Sequence, residues 1–266
     1  MSPHNPPTPA TEAPHPAAEA ATVPSLRILG SRIDRLTAEG ALQRIRAMAS
    51  SGRPHHVITG NTLMVLAAQT DTALRQIIEN AALVVPESWG VFWASGQVDA
   101  PLLEFTPGID LMMRLCEQAR RDGHGIFLLG AAPGVATLAA ERLRARFPGL
   151  QITGTHHGFF AQHEDGMIVS RVRAAAPHYL FVALNVPGQE KWIARNVHAL
   201  GVPVVMGVGG SFDVLSGRLK RAPMWMRRAG IEWVYRTLQQ PWRLKRIKDL
   251  PVFMWRVLVE KERTRA

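Results

Sequence analysis

Between Leu26 and Val208 the chain alternates short apolar runs with amphipathic segments, and few folds tolerate that pattern. The apolar runs are Leu26–Leu29, His56–Thr59, Leu83–Val85, Gly125–Leu129, Gln151–Thr155, Tyr179–Leu184 and Val202–Val208. Each is too short for a helix and reads as a strand, and a run such as Leu83–Val85 is apolar throughout, as a strand buried on both faces must be. Helical periodicity lies between them, over Thr37–Ser50, Asn61–Ala68, Asp71–Asn80, Gly108–Arg121, a stretch ending near Phe147, Met167–Ala175 and Gln189–Leu200. Thr37, Asn61 and Asp71 stand where side-chain caps belong, and Gly123 stands where a helix stops. Strand and helix in alternation predict an α/β fold: a Rossmann-like parallel sheet with helices on both faces.

The ends of the chain differ from this middle. Residues 1–25 hold seven prolines, six alanines and no Lys or Arg, a composition that predicts a disordered tail. It lacks the basic start and apolar core of a secretory signal. The other end carries the charge. The net +10 lies within residues 218–266, where 14 Lys and Arg face four acids, together with four of the seven tryptophans. Pro223, Pro241 and Pro251 divide this segment into helical pieces. Residues 26–217 thus read as the α/β domain and residues 218–266 as a basic helical appendage. No apolar run approaches the ~20 residues needed to cross a bilayer. A basic, Trp-rich amphipathic segment suits an anionic surface, either nucleic acid or a membrane leaflet, and a solvated tail packed by its aromatics is the alternative. The lone Cys116 excludes an intramolecular disulfide framework and Cys-cluster metal sites.

Open α/β sheets bind ligands at the carboxyl ends of their strands. Four loops there carry polar residues that a core does not need: Thr59-Gly60-Asn61, Pro86-Glu87-Ser88-Trp89-Gly90, Asn185 through Lys191 with Gln189, and Gly207-Val208-Gly209-Gly210-Ser211-Phe212-Asp213. Each has a structural alternative. Thr59 and Asn61 also suit a helix start, Gln189 the opening of a helix, Gly209 and Gly210 a tight turn, and Asp213 a cap. Glu87 follows an apolar strand and precedes Trp89, a setting that raises a carboxyl pKa and suits a general base. The loop Gly130 to Gly134 matches neither a dinucleotide fingerprint nor a Walker A loop, so neither NAD nor ATP is implied. The pairs His55–His56 and His156–His157 point to opposite faces of a strand and lack acidic or Cys partners, which argues against a metal site.

In order along the chain stand Thr59-Gly60-Asn61, Pro86-Glu87-Ser88-x-Gly90, Pro107-Gly108-Ile109-Asp110-Leu111, Phe127-Leu128-Leu129-Gly130, His157-Gly158-Phe159-Phe160, Gln189-Glu190-Lys191-Trp192 and the Gly207 to Asp213 block. Arg221-Ala222-Pro223 and Glu232-Trp233-x-Tyr235-Arg236 follow. Over residues 26–250 this string resembles the WecG/TagA/CpsF glycosyltransferases. The resemblance implies an inverting, metal-independent transfer, without a cofactor, from a UDP-sugar to a polyprenyl-diphosphate-linked saccharide at the cytoplasmic face of the inner membrane. It also implies an α/β core whose C-terminal appendage docks on the membrane and completes the site. By motif position Thr59 and Asn61 match a polar pair in the pocket, Glu87 the catalytic base, and Gln189 a pocket glutamine. Gly209, Gly210 and Asp213 match the nucleotide loop. Arg236, Arg243 and Arg246 match arginines that reach the diphosphate.

This chain departs from the family at two places. The usual Pro-Asp-Gly-x-Gly loop reads Pro86-Glu87-Ser88-Trp89-Gly90, which lengthens the carboxylate arm by a methylene and changes the wall beside it. Phe159 stands where a Tyr is common. The expected donor is UDP-glucose or UDP-N-acetylmannosamine, and the expected setting is exopolysaccharide or cell-surface polysaccharide synthesis. Partners besides the substrates are an anionic membrane surface, no nucleic acid, and a second copy of the chain as a possible homo-oligomer. The rival readings are a basic Rossmann-like domain that binds nucleic acid and a non-catalytic assembly partner. The first finds no recognised nucleic-acid motif.

Overall fold

A computed structural model describes residues 23–98, 101–244 and 248–265. Six strands form one all-parallel sheet: β3 (His55–Gly60), β4 (Leu83–Pro86), β5 (Ile126–Gly130), β6 (Ile152–His156), β7 (Tyr179–Ala183) and β8 (Val204–Gly207). Their order across the sheet is β4-β3-β8-β7-β5-β6. The fold class expected from the sequence is therefore present. The inner strands and β4 read as apolar runs because both of their faces are covered and successive residues feed opposite cores, whereas the edge strand β6 is polar and only partly buried.

One face takes Val57, Val85, Leu128, Phe181 and Met206 under α1 (Ala38–Ala49), α5 (Gly108–Asp122) and α6 (Val135–Arg146). The opposite face is split. Ile58 and Val84 pack with α2 (Thr62–Ala67), α3 (Thr72–Asn80) and α4 (Trp89–Ser95). Phe127, Leu129, Leu180, Val182 and Val205 pack under α7 (Asp165–Ala174) and α8 (Gly188–Leu200). The predicted caps are in place: Thr37, Asn61 and Asp71 each accept a backbone N–H of the following helix, and Gly123 ends α5 in the left-handed conformation.

Two elements differ from the sequence expectation. The first strand, β1 (Ser25–Ile28), is half of an antiparallel hairpin with β2 (Ser31–Asp34), joined by Leu29 and Gly30, both at positive φ. Asp34 is fully buried because its carboxylate pairs with Arg32 at 2.8 Å and accepts the Val84 N–H at 2.8 Å, so it closes the β4 edge. The second is α4. Ser88 caps it by accepting the Val91 N–H, so the Pro86 to Gly90 segment is a loop only as far as Ser88.

The described residues beyond Gly217 form no strand and include α10 (Met224–Arg228), α11 (Glu232–Gln239), a 3-10 turn over Pro241–Arg243, and α12 (Asp249–Arg265). Pro223 caps α10 and Pro241 opens the 3-10 turn. Pro251 lies in the first turn of α12, which begins two residues earlier at Asp249, the place expected for a helix-dividing proline because no intrahelical N–H is required there. Phe253 and Val257, one turn apart on α12, are buried against α2 and α4. The disorder expected over residues 1–25 falls, for residues 1–22, outside the described residues, and β1 takes up the chain at Ser25.

Candidate active site

Strands β4, β3, β8 and β7 are neighbours in that order, so the loops leaving their carboxyl ends sit side by side. These are the four loops singled out by sequence. Glu87 leaves β4 at the rim of this row, and its carboxylate is crowded from several sides. Oε2 accepts the Asn61 Nδ2–H at 3.3 Å, and Oε1 accepts the Gly108 N–H at 3.3 Å from the start of α5. A Cβ on Gly108 would lie 2.8 Å from Glu87 Oε1 and 3.3 Å from Thr59 Cγ2, so glycine there lets the helix end approach the carboxylate.

Burial pushes the Glu87 carboxyl above its ordinary value. The Asn61 amide, the Arg236 guanidinium, the Gly108 N–H and the Thr59 hydroxyl each oppose the rise without cancelling it. A carboxylate in such a setting holds a proton more readily than a solvated glutamate, which is the property a general base needs.

Asn61 fills both of its sequence readings. Its Oδ1 caps α2 by accepting the Met64 N–H at 3.1 Å, and its Nδ2 faces Glu87. The cap therefore fixes the rotamer that presents the amide to the carboxylate. Thr59 is a strand residue, not a cap, and its hydroxyl donates to the Gly207 carbonyl at 3.0 Å, tying β3 to the β8 loop. Gly209 takes a positive φ and donates its N–H to Gln189 Oε1 at 3.1 Å. Gly210 precedes the short helix α9 (Ser211–Leu215), and Asp213 lies half-buried in it.

Gln189 is not on the cleft surface. It is 1% exposed, and its amide is engaged by Leu184 N–H, Gly209 N–H and Glu190. The structure thus places Gln189 beneath the glycine loop, with its oxygen accepting the Leu184 and Gly209 N–H groups and its NH2 donating to Glu190.

The appendage reaches the same cleft. Arg236 on α11 is close enough to Glu87 to stabilise its charge, and it also pairs with Glu232 at 3.5 Å. Gly230, at positive φ, packs flat against the Trp89 ring; a Cβ there would meet the indole at 2.4 Å. Arg221 Nη1 donates to Asp110 Oδ1 at 2.7 Å in a two-pronged pair that ties the root of the appendage to α5. Arg243 belongs to the 3-10 turn, with its side chain outside the described residues, and Arg246 lies wholly outside them.

Sequence reasoning missed three contributors: Gly108, Trp89 as the seat of Gly230, and the buried pair His56–Glu190, 2.8 Å apart. The dipeptide Pro107-Gly108 at the opening of a helix was the available signal for the first. The other two depend on contacts between residues more than a hundred positions apart and leave no local trace. Among the described residues no group of three His, Cys, Asp or Glu side chains is arranged to hold a metal.

Comparison with known proteins agrees with this layout. The profile of the Glycosyl transferase WecG/TagA/CpsF family matches residues 26–266. The N-acetylglucosaminyldiphosphoundecaprenol N-acetyl-beta-D-mannosaminyltransferase of Staphylococcus aureus strain MW2 is 33% identical over 238 residues, covering 89% of this chain and 93% of that protein. The same enzyme from strain NCTC 8325 / PS 47 matches with the same identity and coverage. Family match, parallel sheet and the row of strand-end loops coincide, and this chain belongs to the WecG/TagA/CpsF family of glycosyltransferases.

Proposed function

We propose that the protein transfers a sugar from a UDP-sugar to a polyprenyl-diphosphate-linked saccharide with inversion at the anomeric carbon. Glu87 takes the proton from the acceptor hydroxyl. The freed oxygen attacks the anomeric carbon as the bond to the diphosphate breaks, and UDP leaves with the bonding pair. Arg236, with Arg243 and Arg246 beside it in sequence, neutralises the departing diphosphate. Thr59 and Asn61 position the Glu87 carboxylate, and the Gly209-Gly210 loop with Asp213 receives the nucleotide. The observation that carries this reading is the Glu87 carboxylate, held at the row of strand ends by the Asn61 amide and the Gly108 N–H and raised in pKa by burial, with the Arg236 charge of the appendage opposing that rise.

The named activity of the relatives supports transfer of an N-acetylmannosaminyl group to an N-acetylglucosaminyldiphosphoundecaprenol acceptor, and UDP-N-acetylmannosamine is the UDP-sugar that carries that group. The longer carboxylate arm and the Trp89 wall favour a different sugar contour, for which UDP-glucose is the competing donor. Cell-surface or exopolysaccharide synthesis is the setting that fits such a product. Incubating the protein with each UDP-sugar and a short-chain polyprenyl-diphosphate GlcNAc in EDTA, and following UDP release, tests the reaction. Turnover with one donor supports it; UDP release from none of them refutes it.

The appendage supports peripheral docking on the cytoplasmic face of the inner membrane. Of the sixteen large apolar side chains exposed among the described residues, ten lie beyond residue 217, including Trp225, Trp233, Trp242 and Trp255. They sit in the segment that holds the whole charge excess, a combination suited to anionic headgroups. No described helix is long and apolar enough to cross a membrane.

A further inference from the structure

Below the cleft floor, four polar side chains join strands and loops that the chain sequence keeps far apart. Glu190, on the first turn of α8, is fully buried. Its Oε1 accepts the Gln189 Nε2–H at 2.7 Å, and its Oε2 lies 2.8 Å from His56 Nε2 on β3. With its NH2 end held there, Gln189 presents its carbonyl oxygen upward. That oxygen accepts the Gly209 N–H at 3.1 Å and the Leu184 N–H at 3.3 Å, joining the β8 loop to the β7 loop. Gly207 is part of the same assembly. A Cβ on it would fall 2.2 Å from Gln189 Nε2 and 2.7 Å from Glu190 Oε1, so β8 approaches the pair as only glycine permits. The Gly207 carbonyl then receives the Thr59 hydroxyl at 3.0 Å, beside Glu87.

A buried carboxylate is expensive unless its oxygens are satisfied, and a leucine of similar size would fill this space at lower cost. What the carboxylate supplies is direction. It fixes which end of the Gln189 amide faces the loop, and the amide in turn fixes the Gly209 peptide. We infer that Glu190 and His56 are positioning residues: through Gln189 they hold the Gly207 to Gly210 loop in the shape that receives the sugar-nucleotide donor, without touching the donor. The donor part of this inference rests on the proposed function, whereas the tether itself does not.

Two variants of the full chain test it. Glu190→Leu removes both acceptors at similar volume. Glu190→Gln keeps an oxygen for Gln189 and places its NH2 where Oε2 meets His56 Nε2. Hydrogen exchange over residues 207–210 reads the tether, and steady-state kinetics with donor and acceptor varied separately reads its use. In Glu190→Leu, loop exchange is expected to rise about tenfold and KM for the UDP-sugar about tenfold, the scale of one lost charge-assisted hydrogen bond. KM for the acceptor is expected to stay within about twofold, and Glu190→Gln within about threefold of wild type on every readout. Should Glu190→Leu fail to fold, His56→Phe takes its place, with shifts of about threefold in the same direction. Unchanged loop exchange in the folded variant overturns the tether. Faster exchange with an unchanged donor KM, or a Glu190→Gln variant as impaired as Glu190→Leu, overturns the positioning role. Wild-type protein that turns over no UDP-sugar removes the donor assignment together with the proposed function, and loop exchange still decides the tether by itself.

Discussion

Replacing Glu87 by glutamine should separate activity from stability. Both hydrogen bonds to the carboxylate are long, 3.3 Å from Asn61 Nδ2 and 3.3 Å from Gly108 N. A glutamine keeps one of them through its oxygen and turns its NH2 toward the other donor, a loss of about 1 kcal/mol. Against that loss stands the relief of a buried charge, since the folded state raises the Glu87 pKa above the ordinary value of 4.5. An acid whose folded pKa is raised destabilises the fold at pH above that pKa, and the deficit fades as pH falls toward the unfolded value. Glu87→Gln should therefore be within about 1 kcal/mol of wild type near pH 8, on the more stable side if relief of charge wins, and should lose that advantage on acidification. Loss of the general base should lower kcat about 10²- to 10⁴-fold, or about 3–5 kcal/mol of barrier. Wild-type kcat/KM should decline on the acid side at a pH above the ordinary glutamate range, and the variant should lack that limb. Denaturant melts at pH 5 and pH 8, with initial rates from pH 5 to 9, measure all of it. A folded Glu87→Gln protein with full kcat would refute the base assignment. An unfolded one would refute the claim that the two bonds contribute little.

Other expectations concern how the appendage meets the core. Gly230→Ala forces a side chain onto a left-handed backbone and against the Trp89 ring at 2.4 Å; thermal melts should show a loss of about 1–3 kcal/mol, with kcat reduced as Trp89 moves. Phe253→Ala empties a site that is 1% exposed and should cost about 3–5 kcal/mol if α12 melts with the core, or far less, with increased proteolysis beyond residue 248, if it detaches alone. Exchanging Trp225, Trp242 and Trp255, each more than 60% exposed, for alanine should leave the melting temperature within about 2 °C and weaken co-sedimentation with anionic vesicles. Unchanged vesicle binding in the triple variant would remove these residues from the docking surface.

Much of the architecture was legible because parallel strands covered on both faces must be apolar throughout. Runs such as Leu83–Val85 and Tyr179–Leu184 have no other comfortable place in a chain of this size. Helix limits followed from residues whose types mark helix ends, such as Thr37, Asp71 and Gly123. The hairpin strand Ser31–Asp34 was hidden because three of its four residues are polar and its turn, Leu29-Gly30, lacks the usual Asn-Gly or Asp-Gly. Its Asp34 is buried only by virtue of Arg32 and the Val84 amide, and the latter lies 50 positions away. In the cleft, the positions of Thr59, Asn61 and Glu87 at strand ends were readable. The way Asn61 serves as cap and carboxylate partner at once was not, because that depends on β3 and β4 being neighbours. Gln189 shows the limit most clearly: a polar residue at a strand-end loop reads as a ligand contact, and only packing reveals that its amide is engaged from below by Glu190, itself tied to His56 134 positions away.

The most direct test of the central claim is sugar transfer by the purified full chain in EDTA, with UDP-N-acetylmannosamine and UDP-glucose offered in parallel and a polyprenyl-diphosphate GlcNAc as acceptor. The account predicts UDP release and an acceptor heavier by one sugar with one of the two donors, and loss of both signals in Glu87→Gln. Release of UDP from neither donor by a folded protein with acceptor and lipid present would contradict it.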